Sequence, residues 1–356
     1  MSKLLTPLLI LATGLFLLGA GCQKEEEKTS EYKQEPEQTQ KQIQEQAKLP
    51  EEQEDLAVTA KQEFEQTRAQ QKDCQKYDWA NREGPYNNKI SYATSTDLLS
   101  WIDSEKTLTE HASVPGAVYR DGTIYVYFVD VSEKCYPEKL GLIKSTDNGI
   151  TWSATETAYI KGLGTKVTAD PAPILLDDGR IRLFYFDISV NPAPGTNFEI
   201  YSAISEDGVN FVQEDGVRFS NPGTLDPDVI KVGDTWRLYT GDVENDSTVS
   251  ATSSDGLDFT KEGTAFGAGA VPDVFYKDGT YYLYTAGINI ATSSNGKSFT
   301  ATGKSFRTQM GKITADPSVI ELADRSYLMI YKYQEEGPNG SGSGGPSGPQ
   351  PPPPTN

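Results

Sequence analysis

From about residue 86 to residue 333 the chain alternates apolar and polar residues in short runs. Val274 to Tyr284 (Val-Phe-Tyr-Lys-Asp-Gly-Thr-Tyr-Tyr-Leu-Tyr) is typical, with the period of two expected of strands in a sheet. The runs recur in one order five times. A proline opens each unit (Pro115, Pro171, Pro227, Pro272, Pro317), a tight turn leads into a Tyr-rich strand, and a Ser-x-Asp or Ser-x-Asn turn ends on an aromatic residue. The endings are Ser95 to Trp101, Ser145 to Trp152, Ser205 to Phe211, Ser253 to Phe259 and Ser293 to Phe299. A self-similar unit of about 40–60 residues and four short strands is the pattern of a propeller blade. The expected fold is therefore all-β, a five-bladed β-propeller over residues 76–334.

The first ending precedes the first opening, and the last opening has no ending after it. Strand Ile90 to Thr94 and its turn are thus expected to complete the blade begun at Pro317, an N-terminal strand closing the last blade and removing two exposed edges. Asp121-Gly122, Asp178-Gly179 and Asp278-Gly279 are tight-hairpin dipeptides, with Gly233-Asp234 and Ala323-Asp324 at the same place. Each proline is expected at the first position of its strand, where the missing N–H costs nothing.

The flanks have other compositions. Lys3, the apolar stretch Leu4 to Leu18 and Gly19-Ala20-Gly21-Cys22 resemble a bacterial lipoprotein signal (1–21), which implies lipidation of Cys22 and attachment to the extracytoplasmic face of a membrane. Residues 22–75 are rich in Glu, Gln and Lys, as in a polar tether that is partly helical, and 335–356 is a Gly/Pro/Ser-rich tail of disordered character. Of three cysteines, Cys74 and Cys135 then remain, and the compartment favours a disulfide between them. With one histidine and no Cys-x-x-Cys pair, no His/Cys metal site is expected. A formal charge of −19 argues against a nucleic-acid partner. A monomer is expected.

Residues flanking the opening prolines should converge on the propeller axis: Val114-Pro-Gly116, Asp170-Pro-Ala172, Asp226-Pro-Asp228, Val271-Pro-Asp273 and Asp316-Pro-Ser318. Five acids in one funnel would raise one another's pKa and keep a carboxyl protonated near neutrality. The same oxygens suit Ca²⁺, while no cofactor is required. His111, three residues before Val114, is a candidate for touching substrate, and Tyr86, Trp79 and Trp236 are candidate sugar-stacking platforms.

Ala-Asp316-Pro-Ser-Val-Ile and Ala-Asp170-Pro-Ala-Pro-Ile, each followed by a hairpin and an aromatic-rich strand, resemble the aspartate-bearing segments of five-bladed glycoside hydrolases of the arabinanase and β-xylosidase type (family 43) and relatives. The resemblance covers roughly Tyr86 to Tyr333. It implies a glycoside hydrolase acting with inversion on an oligo- or polysaccharide, with Asp170 as general base, Asp226 as the aspartate that tunes it, and Asp316 in substrate binding. The family's general acid is a Glu before Gly-Pro, where this chain reads Ala270-Val271-Pro272. Asp273 and Asp228 are the nearest substitutes, with Glu244 and Glu199 farther off.

Two other readings stay open on the residues alone. The alanine at the acid position suits a non-catalytic glycan- or protein-binding propeller whose axial acids are structural or hold Ca²⁺. Ser145-Thr-Asp-Asn-Gly-Ile-Thr-Trp152 resembles the Asp-box of sialidases, in which Asp147 would bond turn amides and Trp152 would plug the gap between blades. The sialidase reading lacks an arginine triad at the openings.

Overall fold

A computed structural model describes residues 37–77, 85–189, 197–242, 244–311 and 313–335. The lipoprotein signal, Cys22, Trp79 and the tail beyond residue 335 lie outside these residues. No helix among the described residues is long and apolar enough to cross a membrane.

Five sheets form the ring. The first blade comprises Ala112–Arg120, Thr123–Asp130, Lys139–Ser145 and Glu156–Thr157, in consecutive antiparallel order. The third and fourth repeat this plan, with inner strands Thr224–Val232 and Asp273–Lys277. The second, built outward from Thr168–Leu175, gains two short extra strands, Tyr159–Lys161 and Phe219–Pro222.

The fifth blade is made from both ends of the ring. Ile313–Glu321 and Tyr327–Gln334 form its inner pair, and Asn88–Ser95 adds the third strand in an eight-residue antiparallel register from Asn88 opposite Gln334 to Ser95 opposite Tyr327. Closure by the N-terminal strand therefore stands, over a slightly longer span than Ile90 to Thr94.

Alternation along the strands buries both faces, because each blade packs on two neighbours. Five apolar clusters result, one per interface; Val274, Tyr281 and Leu283 of the fourth blade, for example, meet Tyr239 of the third. The Ser-x-Asp turns are built alike in every blade. In the first, Ser145 Oγ accepts the Gly149 N–H at 2.9 Å and Asp147 Oδ1 accepts the Thr151 N–H at 2.9 Å, with Asn148 and Gly149 at φ 57° and 84°. Ser95–Asp97, Ser205–Asp207, Ser253–Asp255 and Ser293–Asn295 make equivalent bonds.

Each turn delivers its aromatic residue against the preceding blade. Trp152 meets Tyr92, Phe211 meets Tyr127, Phe259 meets Phe184, Phe299 meets Tyr239 and Trp101 meets Tyr284, with ring centroids 5.7–6.1 Å apart. Such aromatic pairs add about 0.5–1.5 kcal/mol each beyond their area. The turns are thus inter-blade plugs. Trp236 and Tyr86 are likewise buried in an apolar cluster, so neither is a free stacking platform.

The prolines do not open their strands. In four blades the inner strand begins three or four residues earlier, at Ala112, Thr168, Thr224 and Ile313, and the register shifts across the Xaa-Pro pair. Proline is accommodated as part of a β-bulge, where no ladder N–H is needed. The residue before each proline has positive φ: 47° at Val114, 50° at Asp170, 52° at Asp226, 58° at Val271 and 48° at Asp316. Aspartate tolerates that region better than a β-branched residue does. Val114 and Val271 are accordingly strained.

The segment expected as a tether is helical from Glu37 to Gln70, and from Pro50 onward it belongs to the same compact unit as the propeller. Glu63 accepts the Gly162 N–H at 2.9 Å, Arg68 pairs with Glu133 at 3.0 Å, and Phe64 packs edge-on to Tyr159. A disulfide joins Cys74 to Cys135, 61 residues apart. Replacing both by serine is expected to lower stability by up to about 4 kcal/mol, the loop-closure entropy of such a ring. A reduced urea midpoint is the predicted readout, and an unchanged midpoint would contradict it.

Candidate functional site

The five inner strands enclose an axial funnel of about 730 Å³, lined by all five Xaa-Pro pairs and by Asp170, Asp226, Asp228, Asp273 and Asp316. Sequence position alone brings these acids together, as five copies of one strand stand around one axis. The bulge then divides them into two sets.

The residues after the prolines link blades. Asp228 Oδ2 accepts the Val274 N–H of the fourth blade at 2.8 Å, Asp273 Oδ2 accepts the Val319 N–H of the fifth at 3.2 Å, and Ser318 Oγ accepts the Ala117 N–H of the first at 2.9 Å. At the corresponding position of the first blade, a Cβ on Gly116 would sit 1.9 Å from the Pro171 carbonyl oxygen, so backbones approach directly there. Asp228 and Asp273 are therefore blade-to-blade latches, a different task from the general acid that sequence position suggested.

The residues before the prolines form the second set. Asp170 and Asp226 share a hydrogen bond, and Asp316 lies within electrostatic reach of both. Asp316 is ion-paired with Lys332 of Tyr327–Gln334, the neighbouring strand of its own blade. Asp170, Asp316 and Lys332 retain only 8%, 4% and 5% of their surface.

Burial, then Asp226, then Asp316 push the Asp170 carboxyl well above the ordinary aspartate value. Burial and Asp316 raise Asp226 to about 6, while the hydrogen bond from Asp170 works the other way. The pair thus shares one proton, with Asp170 as its holder and Asp226 as acceptor. The resemblance implies Asp170 as the base, a role that this upward shift does not favour. Burial opposes the charge on Lys332, but Asp316, followed by Asp226 and Asp170, more than offsets it and holds the ammonium above the usual lysine value.

Lys332 escaped the sequence reading. It lies two residues beyond Ile330, the partner of Ser318, and the matching positions of the other blades are Val129, Phe186, Gly241 and Ala286. A lysine in step with Leu328 and Ile330, both buried, was the available signal.

The remaining candidates stand elsewhere. His111 is absent from the funnel wall, and its Nδ1 is 2.7 Å from the Tyr86 carbonyl oxygen, a loop-holding contact. Ala270 is fully buried, and its N–H donates to Asp246. Glu199 bonds the Tyr201 hydroxyl, and Glu244 lies beside Gly223; neither lines the funnel. Among the described residues no three His, Cys, Asp or Glu side chains are placed to hold one metal ion.

The buried acids set a pH dependence of stability. Asp228, raised mainly by burial to about 7, and Asp226, at about 6, bind protons more tightly folded than unfolded. Their contribution is complete below the ordinary aspartate value of about 3.9 and is lost as pH rises through 6 and 7. Asp147, held down at about 2 chiefly by its bond from the Thr151 hydroxyl, acts oppositely and loses its contribution as pH falls toward 2. Melting temperature is therefore expected to peak near about pH 4–5 and to decline toward pH 8. Asp228→Asn should flatten that decline near pH 7. A calorimetric maximum at pH 7–8 would contradict these assignments.

No protein-family model matches the chain, and no curated protein matches it significantly. Solved structures do. A Bombyx mori GH32 β-fructofuranosidase superposes with a TM-score of 0.53 at 18% identity, over 79% of this chain and 63% of that enzyme. A mutant of the same enzyme in complex with sucrose gives 0.51 at 17% identity, over 74% and 63% of the two chains. A thermostable family-43 glycoside hydrolase gives 0.49 at 14% identity, over 67% of this chain and 96% of its own. The chain thus spans less than two thirds of the β-fructofuranosidase. Its fold is that of the five-bladed propeller glycoside hydrolases.

Proposed function

We propose that this chain is a carbohydrate-directed propeller that hydrolyses glycosidic bonds, exported and held by lipid on Cys22. The reading rests on one observation above all: a proton-sharing Asp170–Asp226 pair stands near an ion-paired carboxylate, Asp316, in one funnel. Environments that separate an acid from a carboxylate define the two roles of glycoside hydrolysis.

The hydrogen-bonded pair is too close to supply both roles, because an inverting acid and base stand about 6.5–9.5 Å apart. The pair therefore acts as the proton donor in place of the Glu replaced by Ala270, and Asp316 is the base. Water attacks the anomeric carbon as Asp316 takes its proton; the pair's proton passes to the glycosidic oxygen, which leaves as an alcohol. One proton enters and one leaves, and exchange with solvent resets both sites. Lys332 anchors the carboxylate of Asp316.

A non-catalytic glycan-binding propeller is the second reading, favoured by Ala270 and by the deep burial of the acids. Incubation with arabinan, xylan, fructan, mannan and aryl glycosides separates the two. Turnover by the wild type that falls by about 10²–10⁴ in Asp226→Asn supports hydrolysis. Glycan binding without turnover selects the binding propeller.

A further inference from the structure

We infer that a second cavity, between the end of the helix Glu37–Gln70 and the first two blades, binds a small carboxylate with an apolar body. The cavity, of about 270 Å³, shares no wall residue with the axial funnel, so the inference is independent of the carbohydrate reading. One wall is the end of the helix from Glu63 onward. The others are the loop before Lys139–Ser145 and the connection from Tyr159–Lys161 into Thr168–Leu175. These walls are tied to one another. Glu63 accepts the Gly162 N–H and Gln71 Nε2 donates to the Thr165 carbonyl, both at 2.9 Å, which fastens the connection to the helix at two points. The loop is held by the Cys74–Cys135 disulfide and by the Asp73 N–H, which donates to the Cys135 carbonyl at 2.8 Å. The cavity is therefore already formed, as binding sites usually are.

Its chemistry centres on Arg68, which lies in the wall and retains 5% of its surface. Nη1 donates to Glu133 at 3.0 Å, and the guanidinium sits 4.7 Å from the centroid of the Tyr136 ring, which fixes its plane. Nε is buried and has no hydrogen-bond partner. A buried donor left unmade costs stability, which an incoming acceptor restores. In a guanidinium the Nε–H and one Nη2–H point the same way, and this edge, left over by Glu133, is the fork that a carboxylate matches with both oxygens. Glu133 is shared with Lys139, which also pairs with Asp130, so that network is balanced in charge. In the wall itself Arg68 and Lys166 match Glu63 and Glu138 in number, so no excess of negative charge repels a single carboxylate. The rest of the wall includes Phe64, Pro137, Ile160, Leu163 and Val167. Such a surface takes an apolar body and offers the several hydroxyls of a sugar few partners. The volume, at the lower end for ligand cavities, holds a single ring rather than a chain.

The test is isothermal titration of the full chain with benzoate as the probe. Benzamide serves as its neutral counterpart, acetate as a carboxylate without the body, and xylose as a hydroxyl ligand. Benzoate is expected to saturate one site per chain, with each of the other three bound at least about tenfold more weakly. Two variants locate the site. Arg68→Lys keeps the charge and loses the fork. Thr67→Trp fills the cavity from a half-buried helical position and leaves Arg68 and Glu133 in place, so it answers the question even if Arg68→Lys loosens the helix. Each should weaken benzoate about tenfold or more, and cooperative melting checks that both fold. Absence of saturable benzoate binding at millimolar concentration overturns the site. Equal affinity for benzoate and benzamide, or tighter binding of xylose, overturns the carboxylate assignment, and benzoate affinity unchanged in both variants overturns the location.

Discussion

A chain that begins after Trp101 is expected to lose cooperative unfolding altogether. The missing segment contains Asn88–Ser95, whose eight-residue ladder with Tyr327–Gln334 joins the two ends of the ring, and Trp101, which packs edge-on to Tyr284 of the fourth blade. Ile90 is fully buried, and the Tyr284 hydroxyl donates to the Leu98 carbonyl. Removal would expose the long edge of Tyr327–Gln334 and two apolar interfaces at once. Domain stability of only about 5–15 kcal/mol does not absorb such a loss. Circular dichroism melting should show a broad, non-cooperative change, with aggregation through the open edge. A sharp transition in the truncated chain would show that closure does not hold the ring.

Substitution within the acid set is expected to have the largest effect on activity. Asp316→Asn removes the proposed base and leaves Lys332 as a buried cation without its ion-paired partner, so both turnover and stability should fall. Breaking a buried pair from one side costs about 3–5 kcal/mol, which would confound the kinetics. The double variant Asp316→Asn with Lys332→Met removes both charges and should recover much of the stability while leaving turnover depressed by about 10²–10⁴. A double variant that regains wild-type turnover would show that Asp316 served Lys332 rather than the reaction. Asp170→Asn probes the proton donor. Its deficit should be smallest on aryl glycosides, whose leaving groups need little protonation. A uniform deficit across leaving groups would remove Asp170 from that role.

The ring itself was legible because five repeats of one pattern leave little freedom: period-two alternation fixes strands, Asp-Gly fixes hairpins, and the offset between openings and endings dictates closure. The meeting of the acids at one axis followed from the same repetition. What repetition hid was the bulge. It turns the residue before proline and the residue after it to separate tasks, so that Asp226 and Asp228, two positions apart, become a proton-sharing acid and a latch to the Val274 amide. Nothing in Asp-Pro-Asp announces that division, because it depends on a positive φ at Asp226 that side-chain patterning does not encode.

Lys332 was hidden for a different reason. A single lysine in an apolar strand is ordinarily a surface residue, and only the register opposite Ala315 brings it to Asp316. The helix after Pro50 is polar enough in composition to suggest a free tether. Its docking rests on scattered contacts, Glu63, Phe64 and Arg68, that no amphipathic stripe advertises. His111 failed in the opposite sense, since closeness in sequence to Val114 did not carry its side chain to the funnel wall.

Proton NMR of sugar released during the first turnovers by the wild-type chain, run beside Asp226→Asn, tests the proposed site most directly. The account predicts release from a glycan with inverted anomeric configuration, and near-complete loss of release in the variant. Retained configuration, or equal release by both chains, would contradict it.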